Sequence, residues 1–285
     1  MIAGRRALLG PGVFLALSAC GPATPQPGGS ANYSASLGEG PDFSEPHGLV
    51  VVQTWFDYDE NQLSGAFADG PGLRHHSEAE RSGNCRLMSY TASTCEPGCD
   101  GDELCIDGVC EAWPSRIDRG ELLWTWPDGE QTVTPDATLG YWATGSTSTD
   151  GDVSIAIDGL ELTVPTIDTM DPDGDWARAI DNRGGGDATL RWRNPILDAR
   201  VRLFMTDCTG THGGVAAAEI ECEGPDTGEL VIPGSYLDAI EAGDWSHGEC
   251  GSHDLERYHA ATPADDTTTR LESVGDGGLF WRPDW

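Results

Sequence analysis

Val153-Ser154-Ile155-Ala156-Ile157-Asp158-Gly159-Leu160-Glu161-Leu162-Thr163-Val164 places two alternating apolar runs on either side of Asp158-Gly159. Alternation with period two is the signature of a strand with one buried face. Asp-Gly favours the two-residue type I′ turn, whose backbone matches the twist of paired strands. The stretch therefore reads as a β-hairpin, and the same vocabulary recurs along the chain. Leu49 to Phe56 reads as a continuous buried strand and Gln62 to Ala68 as an alternating one. Further strands are expected over 187–193, 200–207, 215–222, 228–232, 254–261 and 267–274, where β-branched and aromatic residues lie between turn formers. Val201, Leu203 and Met205 alternate with Arg202, Phe204 and Thr206, so one face of that strand is buried. A single helix is expected from Ser235, with Asp238 in capping-box position and Leu237 and Ile240 at helical spacing. The fold class is all-β: β-sandwich-like domains with a disulfide-rich loop segment and one short helix.

The N-terminus carries a different message. Arg5 and Arg6 precede an apolar run, Ala7 to Leu17, that ends in Leu17-Ser18-Ala19-Cys20. A basic start, an apolar stretch and small residues make a secretory signal. The Cys after Leu-Ser-Ala has the form of a lipobox, with Cys20 as the acylated first residue of the mature chain. Several acyl chains on one residue anchor stably where one binds marginally. The run is too short to span a bilayer and is broken by Gly10-Pro11-Gly12. Residues 1–19 are thus expected to be a signal peptide, and 20–46, rich in Pro, Gly and Ser, a flexible tether. Strand signals lapse near Thr147, which divides an N-terminal β domain (47–147, with a Cys-rich segment at 85–110) from a C-terminal β-sandwich-like domain (148–285).

Nine Cys are an odd number for an exported chain. Setting Cys20 aside leaves Cys85, Cys95, Cys99, Cys105 and Cys110 in one group and Cys208, Cys222 and Cys250 in another. Because both groups are odd, complete pairing requires at least one bridge between them; spacing assigns no particular pair. Zinc competes for the first group, but no Cys pair there has the two-residue gap of a zinc knuckle and no His lies within it. Disulfides point to an oxidising compartment. The formal charge of −32 makes nucleic acid an improbable partner. All 16 basic residues are Arg. Without Lys there is no P-loop phosphate site and no Schiff-base chemistry.

Asn84-Cys85-Arg86-Leu87, Cys95-Glu96-Pro97-Gly98-Cys99 and Gly101-Asp102-Glu103-Leu104-Cys105-Ile106-Asp107-Gly108-Val109-Cys110 resemble the cysteine-rich segment of predicted surface lipoproteins of myxobacteria. Ile220-Glu221-Cys222, Asp226-Thr227-Gly228 and Leu230-Val231-Ile232-Pro233 are similar to a later segment of those proteins. The resemblance implies a surface location and no particular activity.

Asp171, Asp173 and Asp175 alternate as at the start of a calcium loop, with Asp168 or Asp181 as further donors. Trp176 replaces the loop glycine and Asn182 the bidentate Glu of an EF-hand, so a solvated turn is the expectation and no cofactor is required. His247, Glu249 and His253 match no zinc template, and no Gly-x-Ser-x-Gly elbow occurs. Trp124 and Trp126 share one face of a strand; exposed in a strip with other Trp, they would suit sugar rings. The expected function is a non-enzymatic lipoprotein, anchored by Cys20 at the bacterial outer membrane or cell surface, that binds an envelope protein or glycan. An envelope hydrolase with a dispersed site and a calcium-stabilised structural module are the alternatives.

Overall fold

The computed structural model describes residues 37, 40–54, 60–90, 94–146, 151–174, 176, 186–206, 216–241, 254–264 and 268–276. Its frame is a nine-stranded sheet running β3 (His76–Ser82), β4 (Cys85–Tyr90), β14 (Ala218–Pro225), β13 (Arg200–Thr206), β16 (Asp254–Ala261), β17 (Thr269–Asp276), β1 (Gly48–Thr54), β2 (Glu60–Phe67) and β9 (Gly140–Ser146). The pairing of β1 with β17 is parallel and the other pairings are antiparallel. A four-stranded sheet orders β11 (Leu160–Pro165), β10 (Asp152–Ile157), β7 (Leu122–Trp126) and β8 (Gly129–Val133). Two hairpin-sized sheets remain: β12 (Ala188–Arg191) with β15 (Glu229–Ile232), and β5 (Glu103–Ile106) with β6 (Val109–Ala112).

The decisive hairpin is β10–β11, with Ile157 opposite Leu160. Asp158 and Gly159 hold φ of 47° and 77°. Both lie in the left-handed region that a type I′ turn requires and that Gly adopts without steric penalty.

Register defines two faces of the large sheet. Val50 stands opposite Leu271 and Gly65, Leu203 opposite Cys222 and Leu255, so these share the inner face. Two apolar clusters cover it. Val50, Val52, Leu63 and Leu271 pack against Trp124 and Val153 of the four-stranded sheet. Leu203, Met205 and Ile220 pack against Leu190, Ile232 and Tyr236, from β12, β15 and the helix α1 (Gly234–Glu241). Between the clusters lies a polar seam. Arg257, wholly buried, donates from Nε to Asp226 Oδ2 at 2.6 Å and from Nη2 to the Asn194 carbonyl at 2.6 Å.

Several sequence expectations are corrected here. The boundary near 147 does not separate two compact units, because Asn32–Trp285 is one unit and strands from both sides of the boundary share the large sheet. Burying the inner face of β17 and β1 together outweighs the local lapse in strand signals. The core does divide, but its second cluster gathers residues from 170 onward together with Cys85. The tether does not extend to 46. Leu37 packs against Tyr258, Ala260 and Val274, and residues 40–46 are tied to the sheet by hydrogen bonds from Arg200 to the Gly40 carbonyl and from Arg270 to the Asp42 carboxylate. β1 alternates buried and half-buried residues instead of being buried throughout. Helix α1 starts one residue early, at Gly234, whose N–H donates to Asp187 Oδ1 at 2.9 Å. An acceptor from a distant segment serves as its cap.

Candidate functional site

The outer face of the large sheet is charged. On β13 the outward residues are Arg200, Arg202 and Phe204; on β14, Glu219, Glu221 and Glu223; on β16, Asp254, Glu256 and Tyr258. Each strand thus presents mainly one sign to a neighbour of the other, the arrangement that stabilises cross-strand pairs. Arg202 donates from Nε to Glu256 Oε2 at 2.7 Å and from Nη1 to Glu272 Oε2 at 2.6 Å. Arg86 Nε reaches Glu221 Oε2 at 2.7 Å. Glu223 is buried and accepts from Arg200 Nη2 at 2.6 Å and from Tyr258 Oη at 2.7 Å.

Residues 40–46 cross this face as a strap. Arg200 Nη2 donates to the Gly40 carbonyl at 2.6 Å, and the Asp42 N–H donates to Glu223. Arg270 Nη2 holds Asp42 Oδ2 at 2.7 Å and Ser44 Oγ at 2.9 Å. Glu45 pairs with Arg74, which also pairs with Glu221. The Phe43 ring lies 4.5 Å from the Arg86 guanidinium carbon, a cation–π contact.

Strap and strands enclose a cleft of about 420 Å³. Its floor includes Arg202, Phe204, Asp254 and Glu256, and its roof Phe43 and Glu45. Arg270 Nε lies buried in its lining with no acceptor among the described residues. The ion pairs fix the charge states. Burial opposes the charge on Arg202, but Glu272 and Glu256 outweigh it and raise the pKa. Burial likewise opposes ionisation of Asp42, yet hydrogen bonds from Ser44 and the Arg270 charge hold its carboxyl below the ordinary value. Burial, with Glu223 beside it, pushes the Tyr258 phenol well up, so the hydroxyl remains a donor. Chemically, the cleft offers rigid planar donors and acceptors beside aromatic faces.

The sequence did not single out this site, although it carried a signal. Arg200-x-Arg202, Glu219-x-Glu221-x-Glu223 and Arg270-x-Glu272 repeat charge at period two within apolar strands. Such alternation marks a sheet face whose polar side is built rather than merely solvated.

The candidates read from sequence are placed elsewhere or outside the described residues. Cys85 bonds Cys222, Cys95 bonds Cys105 and Cys99 bonds Cys110. The first is the required bridge between the two cysteine groups. The Sγ atoms of Cys95, Cys99 and Cys110 lie within 4.8 Å of one another, but each is committed to a disulfide. Cys20, Cys208 and Cys250 lie outside the described residues. Asp171 and Asp173 flank Arg193, whose Nε is 3.6 and 3.7 Å from their carboxylates. Asp175 and Asp181 are outside the described residues. His247, Glu249 and His253 are outside as well. Trp124 and Trp126 share a face, as expected, with ring centroids 4.5 Å apart, but that face points into the core and Trp124 is fully buried. Trp142, on the edge strand β9, is 63% exposed.

No family model and no curated protein matches the chain. Among solved structures, a crystal structure of a tetra-tandem repeat in the extending region of a large adhesion protein aligns over 81% of this chain and 74% of that one. The identity is 13% and the TM-score 0.18, a likeness that carries no argument.

Proposed function

We propose that this chain is a lipoprotein of the bacterial outer membrane or cell surface, held by an acylated Cys20, that binds a glycan in its outer-face cleft without turning it over. The observation that carries the reading is the cleft itself, in which cross-braced Arg and Glu side chains stand beside Phe204 and Phe43. Its volume lies in the range of ligand sites, roughly 300–1,000 Å³. Sugar hydroxyls both donate and accept, and a planar guanidinium next to a planar carboxylate answers both roles. The apolar face of a pyranose ring suits an aromatic side chain. Bracing by neighbouring charges holds these groups in place before a ligand arrives, which lowers the entropy lost on binding. Carboxylates already engaged by guanidinium groups favour binding over acid–base chemistry. The basic, apolar and small-residue layout ending in Cys20 supports the anchor, and the three disulfides among the described residues suit an extracytoplasmic setting.

Two measurements test it. Cys20→Ser is expected to move the protein from the membrane to the soluble fraction with an unchanged circular-dichroism spectrum; continued membrane partitioning without uptake of labelled palmitate by the wild type would refute the anchor. Phe204→Ala is expected to weaken saccharide binding at least tenfold, and unchanged affinity would refute the cleft as the glycan site.

A further inference from the structure

The cleft keeps one buried donor unmet, and this donor, on the reading of the cleft as a glycan site, decides what the glycan must carry. Arg270 is 5% exposed. Its strand neighbour Leu271 is buried in the inner cluster, so the Arg270 side chain leaves the outer face, where it lines the cleft. Its guanidinium is held at both terminal nitrogens. Nη2 donates to Asp42 Oδ2 at 2.7 Å and to Ser44 Oγ at 2.9 Å, and Nη1 donates to Glu272 Oε1 at 3.4 Å. Nε, in the same plane, has no acceptor among the described residues. A guanidinium donates and never accepts, so only an acceptor atom answers this N–H. A donor buried without one is costly, and an arriving acceptor recovers that cost.

The acceptor has to reach a recessed atom. Nε has no appreciable surface open to solvent, and Asp42 and Ser44 of the strap are bound to the same guanidinium. Residues 40–46 form neither strand nor helix, so the strap can shift without breaking a ladder. A ring hydroxyl holds its oxygen one bond from the ring. The oxygen of an acetamido or carboxylate substituent stands two or three bonds out and carries more negative charge, which suits both the depth of Nε and the charge of its guanidinium.

We propose that the cleft takes saccharides bearing an acetamido or carboxylate substituent, whose oxygen accepts from Arg270 Nε as the strap shifts to admit it. The test is calorimetric titration of the purified full chain with three disaccharides: a β-linked glucose dimer, an N-acetylglucosamine dimer and a hexuronic acid dimer. At least one of the two substituted sugars is expected to bind at least tenfold tighter than glucose, and which of them does so identifies the source of the oxygen. Arg270→Lys keeps a cation between Asp42 and Glu272 but puts a methylene where Nε stood, and is expected to cut that advantage below threefold. A second measurement reads the bond in the wild-type chain and does not depend on the folding of the variant. The Nε–H magnetic-resonance signal of Arg270, assigned through its own side-chain carbons in isotope-labelled protein, is expected to move further downfield with the tighter substituted sugar than with glucose. Substituted sugars that bind no tighter than glucose, an advantage that survives Arg270→Lys, or an Nε–H signal unmoved by the tighter sugar overturns Arg270 as the anchor and leaves the glycan reading standing. Binding of none of the three at millimolar concentration overturns both.

Discussion

Asp226 holds the polar seam of the inner face together. Its carboxylate accepts from Arg257 Nε at 2.6 Å, Trp192 Nε1 at 2.6 Å and the Ile196 N–H at 2.9 Å, joining β16 to two loops. Both charges of the pair are fully buried. Asp226→Asn keeps the shape but leaves Arg257 uncompensated in a low-dielectric interior, a change that costs about 3–5 kcal/mol. Asp173→Asn, by contrast, alters an exposed side chain and is expected to stay within about 0.5 kcal/mol of wild type. Urea unfolding of the two variants measures the difference; equal midpoints would show that the seam is not a stabilising contact. In the sequence the two residues rank the other way. Asp173 stands out by its spacing, whereas Asp226 is one acid among many, because its burial is set by strands far away along the chain.

At the scale of elements, the disulfides carry a prediction. They join Cys85 to Cys222, Cys95 to Cys105 and Cys99 to Cys110. With Cys20 set aside as the acylated residue, Cys208 and Cys250 are the two cysteines of the sequence left to pair. Non-reducing peptide mapping is therefore expected to recover Cys208 linked to Cys250, and a free thiol at either position would contradict it. Elements with their own apolar period are legible in the amino-acid sequence: β10, β11, β13 and the helix near 235. β3, His76–Ser82, is not, since it is polar and largely exposed and persists through pairing with β4. The cleft is illegible for a related reason. Arg202, Glu221, Glu256 and Arg270 belong to four strands, and only sheet order brings them together. Close backbone approach is equally hidden: a Cβ on Gly275 would lie 2.4 Å from the Asp168 carbonyl oxygen, where the crossing segment presses on the inner face.

For the whole molecule, the shared sheet decides cooperativity. Two apolar clusters invite two melting events, but β13, β16, β17 and β1 run side by side beneath both. Scanning calorimetry is expected to give one transition with equal calorimetric and van't Hoff enthalpies. Two resolved transitions would restore the division near 147. The parallel pairing of β1 with β17 has a further consequence, one of order in time. Gly48 is made early and its partner Thr269 late, and β17 is the last described strand to leave the ribosome. In the sheet, however, β17 lies near the centre, between β16 and β1. Until it emerges, β1, β2 and β9 can gather on one side and β13, β14 and β16 on the other, with a gap of one strand between them. Contacts this distant in sequence make folding slow, because the intervening chain must be drawn together before they form. The last of the described strands to be made thus fills the middle of the sheet, and a chain cut short before residue 269 loses the strand that joins its two halves rather than an expendable edge.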